Sequence, residues 1–87
     1  MFFVYIIRSL SSNKYYIGST DNKERRLNEH NLGFSKYTKN KGPWIIVYDE
    51  KFMTLAEARK REKQIKNWKK RKSIEKLIKI WRVRLEA

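Results

Sequence analysis

Cysteine is absent from this sequence and histidine occurs once, at position 30. The first absence excludes a disulfide framework, thiolate zinc sites and a cysteine nucleophile. The second leaves no histidine cage for a transition metal and no catalytic triad that draws on another imidazole. Acids are scarce too, with 9 Asp and Glu against 22 Lys and Arg and a formal net charge of +13. Long apolar runs are missing. The stretch Phe2-Phe3-Val4-Tyr5-Ile6-Ile7 stops at Arg8, has no basic residue before it, and is far too short to cross a bilayer. Neither a signal peptide nor a membrane span is expected, and the reading places the chain in the cytoplasm. At 87 residues it is a single domain over 1–87 with room for one core, so any chemistry has to sit on an open surface. The excess of positive charge points to a polyanionic partner. Hydrophobic residues at 40% and aromatics at 14% supply enough apolar side chain for a folded core, which a disordered basic tail lacks.

Along the chain, residues 2 to 8 are apolar, aromatic and β-branched, and Ser9 to Lys14 supply turn residues before the short run Tyr15-Tyr16-Ile17. This pattern predicts a β-hairpin. Asp21, with Glu24 three residues on, or Thr20 just before, is placed to cap a helix from about Asn22 to Asn31, and Gly33 fits its end. Phe34 to Lys41 has no period and reads as an exposed loop, closed by Gly42-Pro43. Trp44 to Tyr48 reads as a buried strand. Thr54-Leu55-Ala56-Glu57 is a capping box that opens a helix reaching Asn67 or Trp68. In the last helix Ile74, Leu77, Ile78, Trp81 and Leu85 recur at three and four, one stripe to pack on the rest of the domain.

The charge is uneven. Residues 59 to 84 hold 13 of the 22 basic residues and two acids, Glu62 and Glu75. A solvated helix surface explains any single lysine there, but like charges at i, i+4 repel, and a partner that neutralises them offsets that cost. Arg59-Lys60-Arg61 and Lys69-Lys70-Arg71-Lys72 are therefore assigned to phosphate backbone. Trp68 is expected in the core, with a flanking stacking surface as the alternative.

Four residues of the first 30 interlock. If the hairpin is symmetric about the Leu10–Ser11 bond, Tyr5 and Tyr16 are cross-strand neighbours on one face. Arg26 and His30, four apart on the first helix, share a face. The chain passes directly from the second strand through Gly18-Ser19-Thr20 into that helix, so two phenols, a guanidinium and an imidazole can meet. Each also has a plainer reading: half-buried strand tyrosines, a surface cation, and a histidine favoured at a helix C-terminus by the macrodipole.

Val4-Tyr5, followed by Tyr16-Ile17-Gly18, Arg26 and His30, resembles the GIY-YIG nuclease family, in particular its small, stand-alone bacterial members of the excinuclease C N-terminal type. The resemblance runs on through Gly42-Pro43-Trp44, the Thr54 capping box and Arg61-Glu62-Lys63-Gln64-Ile65-Lys66. The first motif departs from the family pattern in having Phe3 for its glycine and Val4 for its isoleucine; the second stands unaltered. The resemblance implies an α+β fold, a three-stranded antiparallel sheet flanked by helices in the order β-β-α-β-α-α. It also implies metal-dependent endonuclease hydrolysis of phosphodiesters in DNA, in repair or recombination. By analogy Tyr5 takes a proton from the attacking water, Tyr16 orients water or phosphate, Arg26 binds the scissile phosphate, and His30 assists the proton relay. Val4, Ile17 and Gly18 are the motif's structural members. Glu62 matches the acidic metal ligand of a single Mg²⁺ or Mn²⁺ site, with Glu57 as the fallback that the capping box claims first.

These roles agree with the chemistry. Negative charge builds on the phosphorus during hydrolysis, and an Arg fork offers matched donors, the loss of which typically costs about 10²–10³ in rate. A phenol with a reference pKa near ~10 serves as a base at neutral pH only beside positive charge. A hydrated Mg²⁺ held by one carboxylate needs no protein cage. Ser19 and Thr20 read as phosphate contacts or, better, as helix caps; Lys14 reads as a site residue or a solvated one; Phe34, Tyr37 and Thr38 lie in the loop after the first helix, where exposed aromatics can stack on bases or cover the sheet. The alternative function is a nucleic-acid-binding module that holds phosphate on the same basic surface without cutting it. A basic adaptor for an acidic protein ranks below both. Monomer or weak dimer is the expected state, with no membrane partner.

Overall fold

The computed structural model describes residues 1–86. Its elements are β1 (Phe2–Ser9), β2 (Tyr15–Thr20), α1 (Lys23–Asn31), β3 (Trp44–Phe52), α2 (Leu55–Lys66) and α3 (Arg71–Glu86). The strands form one antiparallel sheet in the order β2-β1-β3, so β2 is an edge. The expected α+β architecture and element order are thus observed.

Alternation along the central strand divides the fold. Val4 and Ile6 of β1 point to one face, where Ile17, Tyr48, Ala58, Ile65 and Ile78 complete an apolar core under α2 and α3. Tyr5 and Ile7 point to the other, where Trp44 is buried with them and Leu27 of α1 and Tyr16 pack alongside. Period-two geometry alone produces this division. Trp68 packs against the α2–α3 core as expected. Leu85 does not: it is 66% exposed and lines an open cleft with Ile45 and Arg82, because the last turn of α3 leaves a gap where the stripe predicted closure.

Three boundaries differ from the sequence expectation. The hairpin turns between Ser11 and Ser12: Ser9 N–H donates to Lys14 C=O and Asn13 N–H to Ser9 C=O, both at 2.9 Å, with Asn13 in the left-handed region at φ 63. Tyr5 therefore lies opposite Gly18, and Tyr16 opposite Ile7. Asparagine is one of the few side chains that tolerates that conformation, and its position fixes the register. α1 is capped by Asn22, which accepts from Arg25 N–H at 3.0 Å, while Asp21 pairs instead with the Arg25 guanidinium at 2.6 Å. β3 continues past Tyr48 to Phe52, its polar end paired with Phe2, Phe3 and Val4.

Gly33, at φ 84, ends α1 as expected. Its N–H donates to His30 C=O at 3.2 Å and that of Phe34 to Glu29 C=O at 3.0 Å, the pattern of a Schellman stop. The segment that follows is no loose loop. Ser35 and Thr38 are buried. Ser9 Oγ donates to the Lys41 carbonyl, and the Asn31 amide bonds both backbone groups of Trp44, at 2.7 and 3.1 Å. Residues 34–42 form a strap across the α1 side of the sheet. Its fixings come from residues distant in sequence, so no local period announces them.

Candidate active site

The strap and α1 bring a polar cluster onto the sheet. His30 is the one buried residue of α1, only 1% exposed, and its ring lies 5.9 Å from that of Tyr5 and 4.8 Å from that of Tyr16. Tyr5 and Tyr16 are diagonal neighbours rather than directly opposed, with centroids 6.4 Å apart. Diagonal pairing still keeps aromatic rings within reach. Gly18 explains how Tyr5 lies there. A Cβ at Gly18 would stand 2.5 Å from Tyr5 Oη and 2.7 Å from Cζ, so the phenol occupies the space a side chain would fill. That close approach is why the second motif ends in glycine.

Both ring nitrogens of His30 are partnered. Nε2 lies 2.8 Å from Tyr5 Oη and Nδ1 lies 2.7 Å from Thr38 Oγ1. With the proton on Nδ1, Thr38 accepts from it and Nε2 accepts from Tyr5; with the proton on Nε2, both directions reverse. Burial, then the charge of Arg26, lower the His30 pKa to about 4 against a partial offset from Glu29. The imidazole is neutral at pH 7. Burial, then Tyr16, push the Tyr5 phenol up to about 12; Arg26 pulls it down, and Glu62 adds a smaller upward push. Arg26 is held at 3.1 Å by Glu29. Burial opposes its charge, but Glu29, followed by Tyr5 and Tyr16, raises its pKa.

Glu62 approaches from elsewhere. It belongs to α2, on the opposite face, and reaches β2 through Ser19, whose hydroxyl donates to Oε1 at 2.6 Å. Lys66 binds Oε2 at 2.6 Å. Its charge adds the smallest of the influences on the acidity of Tyr5, across the β2 edge of the sheet. No group of three or more His, Cys, Asp or Glu able to hold a metal occurs among the described residues. The donors at hand are the hard oxygens of one carboxylate and a serine, which suit Mg²⁺ or Mn²⁺ completing its shell with water and phosphate oxygen. Glu62 is thus the residue that fits such an ion, and Lys66 its competitor for one oxygen. Glu57 is engaged at the start of α2, where the Thr54 cap accepts from its N–H and donates to its carboxylate at 2.9 Å.

The basic patches part company. Lys69, Lys70 and Arg71, with Lys66, line a cleft beside Tyr15 and Tyr16, and the Arg71 guanidinium lies 4.5 Å over the Tyr15 ring. Lys72 is exposed at the start of α3. Arg61 is occupied elsewhere, with Glu50 at 3.3 Å, Gln64 at 2.7 Å and the Trp68 ring at 5.5 Å; Arg59 is exposed on the same helix. Neither is brought to the tyrosines. Thr38 is the residue whose role sequence reasoning missed. The available signal was that a buried histidine needs partners for both nitrogens, and a hydroxyl lies eight residues on.

Comparison with known proteins returns one family model, the GIY-YIG catalytic domain, matched over residues 1–76. A UPF0213 protein of Staphylococcus haemolyticus is 38% identical over 73 residues, covering 83% of this chain and 88% of that one. One from Oceanobacillus iheyensis is 39% identical over 77 residues, covering 84% and 88%. The solution structure of a UPF0213 protein from Bacillus halodurans superposes with a TM-score of 0.58 at 30% identity, covering 92% of this chain and 85% of that chain.

Proposed function

Since the chain belongs to the GIY-YIG family, a nuclease family, we propose that it is a metal-dependent endonuclease that hydrolyses DNA phosphodiesters in repair or recombination. The observation that carries this reading is the buried chain from Tyr5 through His30 to Thr38, with Arg26 on the same side. A neutral imidazole that accepts the Tyr5 proton leaves the lone pairs of the phenol oxygen to face an attacking water. For Tyr5 to remove a proton from that water, its own proton passes to Nε2 of His30, and the wide gap between the two pKa values has to narrow. Arg26 favours the phenolate but disfavours the imidazolium as well, so its part is to stabilise the Tyr5 anion and to offer the scissile phosphate a fork of donors. Tyr16, beside both rings, orients water or phosphate. A divalent cation held at Glu62 supplies, when bound, the further positive charge that favours phenolate and neutralises the phosphate oxygens.

One observation favours the second reading, a binding module that does not cut: both oxygens of Glu62 are already engaged, by Ser19 and Lys66. Plasmid nicking by the purified protein with Mg²⁺, Mn²⁺ or EDTA separates the two. Cleavage that needs metal and disappears in Arg26→Ala and Glu62→Ala supports the nuclease. Salt-sensitive DNA binding without any nicking supports the module.

A further inference from the structure

The strap does a second thing besides orienting His30. Its backbone is pinned on both sides of residue 37. Thr38 is 1% exposed, and its carbonyl accepts from Trp44 Nε1 at 3.1 Å. The N–H groups of Thr38 and Lys39 both donate to Ser35 C=O, at 3.2 and 2.9 Å, and the Lys41 carbonyl accepts from Ser11 Oγ at 3.1 Å. Yet the Tyr37 ring between these anchors is 73% exposed. It lines, with Lys14, Tyr16, Lys41 and Lys66, an open cleft of about 430 Å³. An aromatic ring on a fixed backbone, facing a cleft of three ammonium groups that borders a catalytic tyrosine, combines the two attractions nucleic acids offer: a base with an uncovered π-face and the phosphates on either side of it.

We propose that Tyr37 is the stacking platform for the base of the nucleotide adjoining the phosphate held at Tyr5, Tyr16 and Arg26, with Lys14, Lys41 and Lys66 taking the flanking phosphates. This rests on the nuclease reading for the position of the phosphate, but not for the existence of the cleft. Stacking on an aromatic side chain is worth about 1–3 kcal/mol per base, so its loss weakens binding by about 5- to 150-fold. Preorganisation by the strap removes part of the ordering cost that a mobile loop carries.

The test is an equilibrium binding cycle in EDTA with a labelled DNA oligonucleotide in which one abasic site is moved along the strand. Tyr37→Ala is expected to lose affinity within that range and Tyr37→Phe to keep it. One abasic position is expected to weaken the wild type by the same factor and to abolish the difference between wild type and Tyr37→Ala. Equal affinity of Tyr37→Ala and wild type overturns the proposal, as does a Tyr37→Ala penalty that survives at every abasic position. Nicking is scored separately. A positive cycle in a protein that never cuts leaves the platform standing and removes the nuclease, whereas cutting with a flat cycle does the reverse.

Discussion

The two faces of the sheet use the same backbone for different ends. Under α2 and α3, Val4, Ile6, Ile17, Ile65 and Ile78 are buried among apolar neighbours, and their removal from water holds the fold together at roughly 1.5–3 kcal/mol per side chain. Under α1 and the strap, the space is filled by Tyr5, His30 and Thr38, whose polar atoms are joined to one another. Such a network is weakly stabilising when complete and expensive when broken. In this small domain, then, alternate residues of one strand serve an apolar core on one side and a buried polar network on the other.

Several substitutions break or sharpen that contrast. Tyr5→Phe is expected to lower cleavage by about 10²–10⁴-fold, the usual share of a positioned base, while circular dichroism still reports a folded protein. Near-normal cleavage would show that the α1 face is not the chemical one. Ile65→Ala is the mirror experiment, costing about 2–5 kcal/mol in urea unfolding, with the rate per folded molecule unchanged below the transition. His30 makes the stability of the polar face depend on pH. Its pKa falls from 6.5 to about 4 on folding, so the unfolded chain binds the extra proton. The corresponding stability is complete above about 6.5 and lost as pH falls through about 4, on the order of 3 kcal/mol in all. Thermal melts across that window should flatten in His30→Gln relative to wild type. Gly18→Ala is expected to cost about 1–3 kcal/mol as the new methyl drives the Tyr5 ring aside, and cleavage falls with it. Thr38→Val leaves the Nδ1 side of the buried His30 ring without its partner, at a similar cost of about 1–3 kcal/mol. Histidine ¹⁵N spectra should then show a changed tautomer balance, which Thr38→Ser restores.

The sequence made some of this legible and hid the rest for physical reasons. Local signals worked: the Thr54 capping box and the Gly33 stop depend on neighbours within four residues. The alternation of β1 was equally readable. The hairpin register was not, because it turns on the backbone of Asn13 rather than on the hydrophobic pattern. β3 was cut short at Tyr48 because Asp49, Glu50 and Lys51 look like the end of a strand, although Lys23 binds Asp49 at 3.0 Å and Arg61 binds Glu50 at 3.3 Å. The meeting of Tyr5 with His30 is inferred from spacing, but the strap that fixes it is not, since its bonds to Ser9, His30 and Trp44 follow no period in the sequence. Likewise no window of sequence hints that Ser19, at the rim of the sheet, takes hold of Glu62.

That rim has a consequence of its own. β2 pairs with β1 alone, so one row of its peptide groups is left open, the kind of border along which a second chain can dock and seed aggregates. Here Lys14 at its start and Lys66 beside it line a cationic cleft and repel another copy carrying the same charge. The cleft and the weak spot adjoin, and the lysines suited to meet a polyanion are also the ones that keep the molecule's twin out.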